Sequence, residues 1–360
     1  MEPVNKRPAL IDLFSGAGGM TLGFKLAGFE PIYAVEHEES FVATYAENFG
    51  CHVDNRPIED VVDDRKVRKI KADIVIGGPP CQGFSNLGPG ELDDPRRAMW
   101  SYYMDIVESS GSKVFVLENV PQILSSQEGE DIIKRAKRLG FHISAKILLA
   151  SRFGVPQNRR RAFIVGSKLG EVDLPEGNGK KMTVREALKG IPAEPTVTNF
   201  HQNGGYATKE LHIARNPTEL SKKRYALIPP GGNRFDLQKA APELTPGCWI
   251  RKTKGGTDLY GRLEWDGPAR CTIRTEFYKP EKGRYLHPQE NRPITHWEAA
   301  RLQTFPDSFV WHGSKIEIAI QIGNAVPPKL ARAVAEYMLQ HMAEHEKPKK
   351  TALRRKVRSR

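Results

Sequence analysis

The sequence predicts a doubly wound α/β fold on a mainly parallel sheet, interrupted by a long irregular interval. Three observations carry that reading. Short apolar runs alternate with amphipathic segments through the first half of the chain, as strands joined by crossover helices do. A glycine-rich turn, Gly16-Ala17-Gly18-Gly19, follows the first apolar run, where open α/β folds hold their ligands. From about Gly177 to Gly313 the rhythm gives way to mixed glycine, proline, aromatic and basic residues, and helical periodicity then returns.

Residues 9–14, Ala-Leu-Ile-Asp-Leu-Phe, are the first predicted strand. The glycine turn opens a helix with Met20, Phe24 and Ala27 on one face. Residues 31–36 read as the second strand, ending on Glu36. Strands follow at 72–77 and 113–117, with a helix over 102–108 between them, and then at 144–150 and 161–166. Thr295 with Glu298 three residues on is a capping box that starts a helix. Residues 329–341 place Leu330, Val334, Tyr337, Met338 and His341 on one stripe of a further helix.

The 360 residues allow two domains, or one large domain with an insertion, and 39% hydrophobic with 27% charged residues is ordinary for a globular protein. No apolar run approaches a membrane span and residues 1–7 hold no signal-peptide core, so no membrane partner and a cytoplasmic location are expected. The four cysteines, Cys51, Cys81, Cys248 and Cys271, are scattered without a C-x-x-C pair, which argues against a metal site and a disulfide framework. A net charge of +12 points to a polyanionic partner, without separating DNA from RNA. Part of that excess is the basic tail 346–360, expected to be disordered; attraction to phosphate and plain solvation both remain open for it.

The stretch Gly77-Gly78-Pro79-Pro80-Cys81-Gln82-Gly83-Phe84-Ser85 is the most informative. Two prolines fix the backbone just past a strand end and present a single thiol at the carboxyl edge of the sheet. These nine residues resemble the catalytic Pro-Cys motif of the DNA (cytosine-5)-methyltransferases of bacterial restriction-modification type. Asp12 to Gly19 resembles the family's cofactor loop. Glu118-Asn119-Val120, Gln157-Asn158-Arg159-Arg160-Arg161, residues 292–309 and Gln321 to Pro328 match its remaining blocks in order.

The resemblance implies a Rossmann-like S-adenosylmethionine-dependent methyltransferase fold with an inserted, smaller target-recognition domain. Residues 1–176 plus 318–345 would form the discontinuous catalytic domain, and 177–317 the insert. It implies S-adenosyl-L-methionine as cofactor and double-stranded DNA as partner, a monomeric enzyme, and a cognate restriction endonuclease as a possible companion. The cofactor set would be Phe14, Ser15, Gly16, Gly18, Gly19, Met20, Glu36, His37, Ile58, Asp60, Pro80, Asn324 and Ala325. Thr21 stands where a dinucleotide fingerprint needs its third glycine, which suits a ligand without pyrophosphate. Glu36 is placed to take ribose hydroxyls and His37 to pack on adenine. The family's usual acid–Ile pair is Pro57-Ile58 here, leaving the Ile58 backbone N–H, with Asp60 as the substitute acid. Trp297 replaces a usual arginine, a change expected to affect packing more than catalysis.

In chemical terms, Cys81 is the expected nucleophile on carbon 6 of cytosine, Glu118 the acid at ring nitrogen 3, and Arg159 and Arg161 the groups that hold the base. Gln82, Ser85, Arg96, Arg251, Lys252 and Lys254 are the expected DNA contacts, and the glycine-rich segment after Cys81 the expected lid over a flipped base. Two alternatives remain: the tRNA-methylating branch, whose Cys-Phe-Thr element is Cys271-Thr272-Ile273 here, and a catalytically silent DNA-binding relative.

Overall fold

A computed structural model describes residues 7–80, 99–177, 179, 181–196, 204–251 and 254–346. Each apolar run expected to be a strand is one: β1 (Ala9–Leu13), β2 (Glu30–Val35), then the unexpected β3 (Val53–Asp54), β4 (Ile74–Gly77), β5 (Val114–Asn119), β6 (His142–Leu149) and β7 (Arg160–Ser167). Two residues cannot display an alternation, so no periodicity announces β3. Among the described residues these strands form one seven-stranded sheet in the order β3-β2-β1-β4-β5-β7-β6. Pairing is parallel from β3 to β5; β7 runs antiparallel between β5 and β6.

Helices α1 (Gly19–Ala27), α2 (Glu39–Phe49), α3 (Ile58–Val62), α4 (Met99–Ser109) and α5 (Gln127–Arg138) link the first strands. Short helices α6 (Val184–Leu188), α7 (Glu219–Ala226), α8 (Arg234–Ala240) and α9 (Gly247–Ile250) punctuate the irregular interval. Helices α10 (His296–Leu302), α11 (Lys315–Asn324) and α12 (Pro328–Glu346) follow. Side chains alternate across the sheet, and both faces are dry. Leu10, Ile74, Ile76, Val114 and Val116 pack with Phe24 of α1 and Leu330, Val334 and Met338 of α12. Ile11, Val75, Phe115 and Leu117 pack with Ile58, Val61, Met104, Ile106 and Ile132 from α3, α4 and α5. Helix α12 lies so close to α1 that a Cβ on Gly23 would come within 2.5 Å of the Ala331 Cβ and the Arg332 backbone nitrogen.

A second core joins Val184, Leu263, Ile273, Phe277, Phe305, Phe309, Trp311, Ile318 and Ile322, with Ala17 of the glycine turn. The turn therefore lies at the junction of the two cores. The expected domain boundary at residue 318 falls inside α11, whose apolar side belongs to this second core; the return to the sheet begins with Val326 and α12. Where regular elements thin out, buried arginines replace ladder partners. Arg262 donates to the carbonyls of Tyr225, Ile228, His287 and Glu290. Arg284 donates to those of Gly231, Gly232, Thr257 and Arg262. Buried carbonyls need donors, and a guanidinium supplies several in one fork.

Candidate active site

Strand register assembles the site. Leu13, Gly77 and Leu117 are neighbours across β1, β4 and β5, so Phe14, Gly78 and Glu118 form the next row, at the carboxyl edge. The strand order reverses between β1 and β4, the crevice where doubly wound folds bind ligands.

The glycine turn lines one side of the crevice. Phe14 takes φ 58°, Gly16 φ 55° and Gly18 φ 82°, the left-handed region that only glycine enters freely. A Cβ on Gly18 would meet the Phe49 ring at 2.2 Å, and one on Gly19 the Val326 carbonyl oxygen at 2.5 Å and the Ala325 Cβ at 3.2 Å. A Cβ on Gly16 would meet nothing within 4 Å, so backbone there is open to a ligand. Glu36 is buried, and its carboxylate accepts from the backbone N–H groups of Gly16 at 2.8 Å, His37 at 2.9 Å and Glu38 at 3.0 Å. A carboxylate has about four acceptor positions, which leaves one for a ligand hydroxyl. An open glycine cradle beside a fixed, partly unsatisfied acid suits an adenosyl ligand without phosphate.

The structure brings Gly18, Gly19, Glu36 and Ala325 together around this turn, with Ser15 donating to the Val35 carbonyl and Asn324 exposed beside Ala325. The side chains of Met20 and Ile58 are buried in the core, because their helices turn them onto the sheet, which leaves backbone N–H groups, the expected one of Ile58 among them, for a ligand. Asp60 is exposed in the first turn of α3. His37 is largely exposed, its ring nitrogens 3.4 Å from Glu36 and 3.3 Å from Glu38.

Across the crevice, Glu118 is buried at the end of β5, with Arg161 Nε 2.8 Å from its Oε1. Burial pushes the Glu118 carboxyl up from its ordinary value, while Arg161 and then Arg159 pull against it. A Cβ on Gly78 would lie 3.1 Å from Glu118 Oε2, and the Asn119 side-chain amide donates to the Pro79 carbonyl at 2.9 Å. The chain entering the Pro-Pro-Cys step is thus held against the acid. Pro80 is exposed; Cys81, Gln82, Ser85, Arg96 and Lys252 lie outside the described residues. Arg251 and Lys254 are exposed just past α9.

Arg159 differs most from expectation. It is fully buried, and its Nη groups donate to the carbonyls of Ile273, Gly323 and Asn324. It acts on Glu118 through its charge while tying β7 to the Asn324 block. Gln157 donates to the Leu302 carbonyl and to Gln303 Oε1 and accepts from the Ile273 N–H, and Gln303 donates to the Ile322 carbonyl. These ties went unforeseen, because a glutamine in sequence names no partner. Trp297 donates its indole N–H to Asp307 at 2.8 Å, and Arg301 donates to the same carboxylate. Cys271 is buried, and burial pushes its thiol up to about 12, which makes it unreactive. Among the described residues no cluster of His, Cys, Asp and Glu could hold a metal ion, and no helix is long and apolar enough to cross a membrane.

Comparison with known proteins bears on the family and the fold. The chain is 36% identical over 343 residues to the type II methyltransferase M1.HphI of Haemophilus parahaemolyticus, covering 92% of this chain and 86% of that one. It is 31% identical to the type II methyltransferase M.AgeI of Thalassovita gelatinovora, over 91% of this chain and 98% of that one. The crystal structure of a DNA modification methyltransferase encoded within an E. coli prophage matches with a TM-score of 0.70 at 25% identity, covering 93% and 99% of the two chains. The family model for C-5 cytosine-specific DNA methylases matches residues 9–340. With that match running from the first strand into the last helix, the chain belongs to the C-5 cytosine-specific DNA methylase family.

Proposed function

We propose that this enzyme transfers a methyl group from S-adenosyl-L-methionine to carbon 5 of a cytosine within a specific double-stranded DNA sequence, through a transient bond between Cys81 and carbon 6 of a flipped-out base. The supporting observation is the row at the carboxyl edge. The glycine turn stands on one side, and Glu118 with Arg161 on the other, with the Gly78–Pro80 step that leads to Cys81 held against Glu118.

The donor, when bound, supplies an electrophilic methyl on sulfonium. Gly16 would let the backbone approach it, Gly18 and Gly19 let the turn pack against Phe49 and Val326, and Glu36 would offer the acceptor for its ribose. The Cys81 thiolate adds to carbon 6, and the ring electrons move toward nitrogen 3. Glu118 protonates that nitrogen, and carbon 5 then takes the methyl. Loss of the carbon 5 proton to a base, bound water included, expels the thiolate, and the nitrogen 3 proton returns to Glu118, which restores the aromatic ring and the starting acid. Arg161 holds Glu118 and faces the same charge. Residues from 177 to the start of α11 form the target-recognition part in this reading, with Arg251, Lys252 and Lys254 toward DNA. A restriction endonuclease acting on the same site is the natural companion of such an enzyme.

Labelled donor, incubated with mixed-sequence DNA or with tRNA, tests the reading. Label is expected in DNA alone; label in tRNA alone, or in neither, overturns it. Cys81→Ala should abolish transfer while DNA affinity stays within about twofold, and DNA bearing 5-fluorocytosine should trap a covalent complex with the wild-type chain only.

A further inference from the structure

The strand leading into the glycine turn carries an acid where the core would take a hydrocarbon. Asp12 is 1% exposed and shares the face of β1 with Leu10, toward α1. Its carboxylate accepts from the Thr21 hydroxyl of α1. Thr21 Oγ1 is 3.2 Å from the Tyr45 hydroxyl of α2, which is 3.3 Å from His52 Nε2. His52 is half-buried, so the chain of hydroxyls runs from a sealed carboxyl to solvent. The charged and titratable groups around it are Glu36 and Tyr103 near Asp12, and Lys25 and Glu30 near His52.

A hydroxyl has one proton, so the direction of this chain is tied to the charge on Asp12. When Asp12 is ionised, Thr21 donates to it, Tyr45 donates to Thr21, and His52 donates from Nε2. When Asp12 is protonated, it donates to Thr21, Thr21 to Tyr45, and Tyr45 to an unprotonated His52 Nε2. Passing from the protonated state to the ionised one moves one proton along each link toward His52 Nε2 and releases one from His52 Nδ1 to water, and the reverse passage takes one up, so the count balances. The same groups brace the turn. Thr21 lies in the first turn of α1, whose Gly19 abuts Val326, and Tyr45 packs at 4.7 Å on Phe49, which fills the space beside Gly18.

Resting on the reading of residues 14–20 as the donor-binding turn, we propose that Asp12 is a proton-exchanging positioning residue for that turn, linked to solvent through Thr21, Tyr45 and His52, and that its charge sets the affinity for the methyl donor. Burial holds this carboxyl up to about 7, with Glu36 adding a like charge, so both states are populated near neutrality. The donor carries a net positive charge from its sulfonium and ammonium groups against one carboxylate. Binding it favours ionised Asp12, and by linkage its affinity rises as pH rises through 7 and levels off above.

Calorimetry of S-adenosylmethionine binding between pH 5.5 and 8.5 tests this. Affinity should rise about threefold to tenfold in the wild-type chain, where tenfold corresponds to a one-unit displacement of the Asp12 titration. Asp12→Asn keeps the shape and the ligand's own titration but should show a flatter rise. The wild-type carbon-13 carboxyl titration of Asp12 gives a second reading that needs no variant. Its midpoint should lie near neutrality and fall when donor is added. Equal pH profiles for wild type and Asp12→Asn, or an Asp12 midpoint in the ordinary acidic range, would overturn the proposal. Failure of the wild-type chain to bind the donor at any pH would instead remove the reading of the turn on which it rests.

Discussion

In the proposed reaction Glu118 gives up a proton to a ring nitrogen and then stands as an anion beside it, and its surroundings favour both states in turn. Burial makes the acid hold its proton longer, and Arg161 at 2.8 Å stabilises the anion once the proton has gone. Removing either influence leaves a group suited to half the task. Glu118→Gln keeps the volume but cannot donate a full proton, so single-turnover methylation is expected to fall by about 10²-fold or more, with DNA affinity little changed in a filter-binding assay. The acid must be protonated to act, so the wild-type chemical step should slow as pH rises past the raised value of Glu118. A Glu118→Gln chain should lack that limb. An unchanged single-turnover rate would take Glu118 out of the chemistry. Arg159 makes the complementary point. A guanidinium committed to three backbone carbonyls is a brace first, and its charge acts on Glu118.

At the scale of elements, the contact between α1 and α12 governs how well the site is held, since α1 begins at the glycine turn and α12 just after Asn324. Gly23 permits that contact. A Cβ there would meet the Ala331 Cβ, the Arg332 nitrogen and the Pro328 carbonyl oxygen, all within 2.7 Å, and two of these are backbone that cannot swing aside. Gly23→Ala is therefore expected to cost about 1–3 kcal/mol, read as a lower denaturation midpoint in urea; a midpoint equal to wild type would mean that the helices part freely. The same scale shows what was legible in the sequence. Six of the seven strands of the sheet and the glycine turn were, because apolar runs and glycines declare themselves locally. The Thr295–Glu298 box was too, and it forms as expected, with Arg292 held by Glu298 beneath it. The core that each late helix joins was not, because the apolar positions of α11 and α12 look alike in sequence while facing different cores. Met20 and Ile58 show a related limit: proximity to a motif does not say which way a side chain points, and both turn theirs into the core. The arginines of the irregular interval gave the most misleading signal. A basic composition suggests a nucleic-acid surface, yet Arg234, Arg262, Arg284 and Arg292 are buried.

Those buried arginines change the accounting of charge over the whole molecule. The chain carries 55 basic against 43 acidic side chains, but cations sealed under carbonyls cannot meet phosphate. Eight of the fourteen residues from 347 to 360 are lysine or arginine, so much of the charge available to a polyanion belongs to that segment. Its root is fixed by α12, which starts beside Gly19 and runs along α1 until Leu339 reaches Gly28. At 1.5 Å per residue, the 18 steps from Pro328 to Glu346 carry the chain about 27 Å from the carboxyl edge. On the proposed DNA substrate, those eight cations are expected to hold phosphate without regard to sequence. Truncation after Glu346 is therefore expected to weaken binding to non-specific DNA. It should also flatten the dependence of log affinity on log salt by up to about 7, the product of eight cations and roughly 0.9 per phosphate contact. The methylated sequence and the single-turnover rate at saturating DNA should not change. Titrations of both chains from low to high salt would check the slope, and sequencing of methylated DNA the specificity. An unaltered slope would mean that those cations do not meet DNA, and an altered target sequence would mean that the segment reaches the recognition face after all.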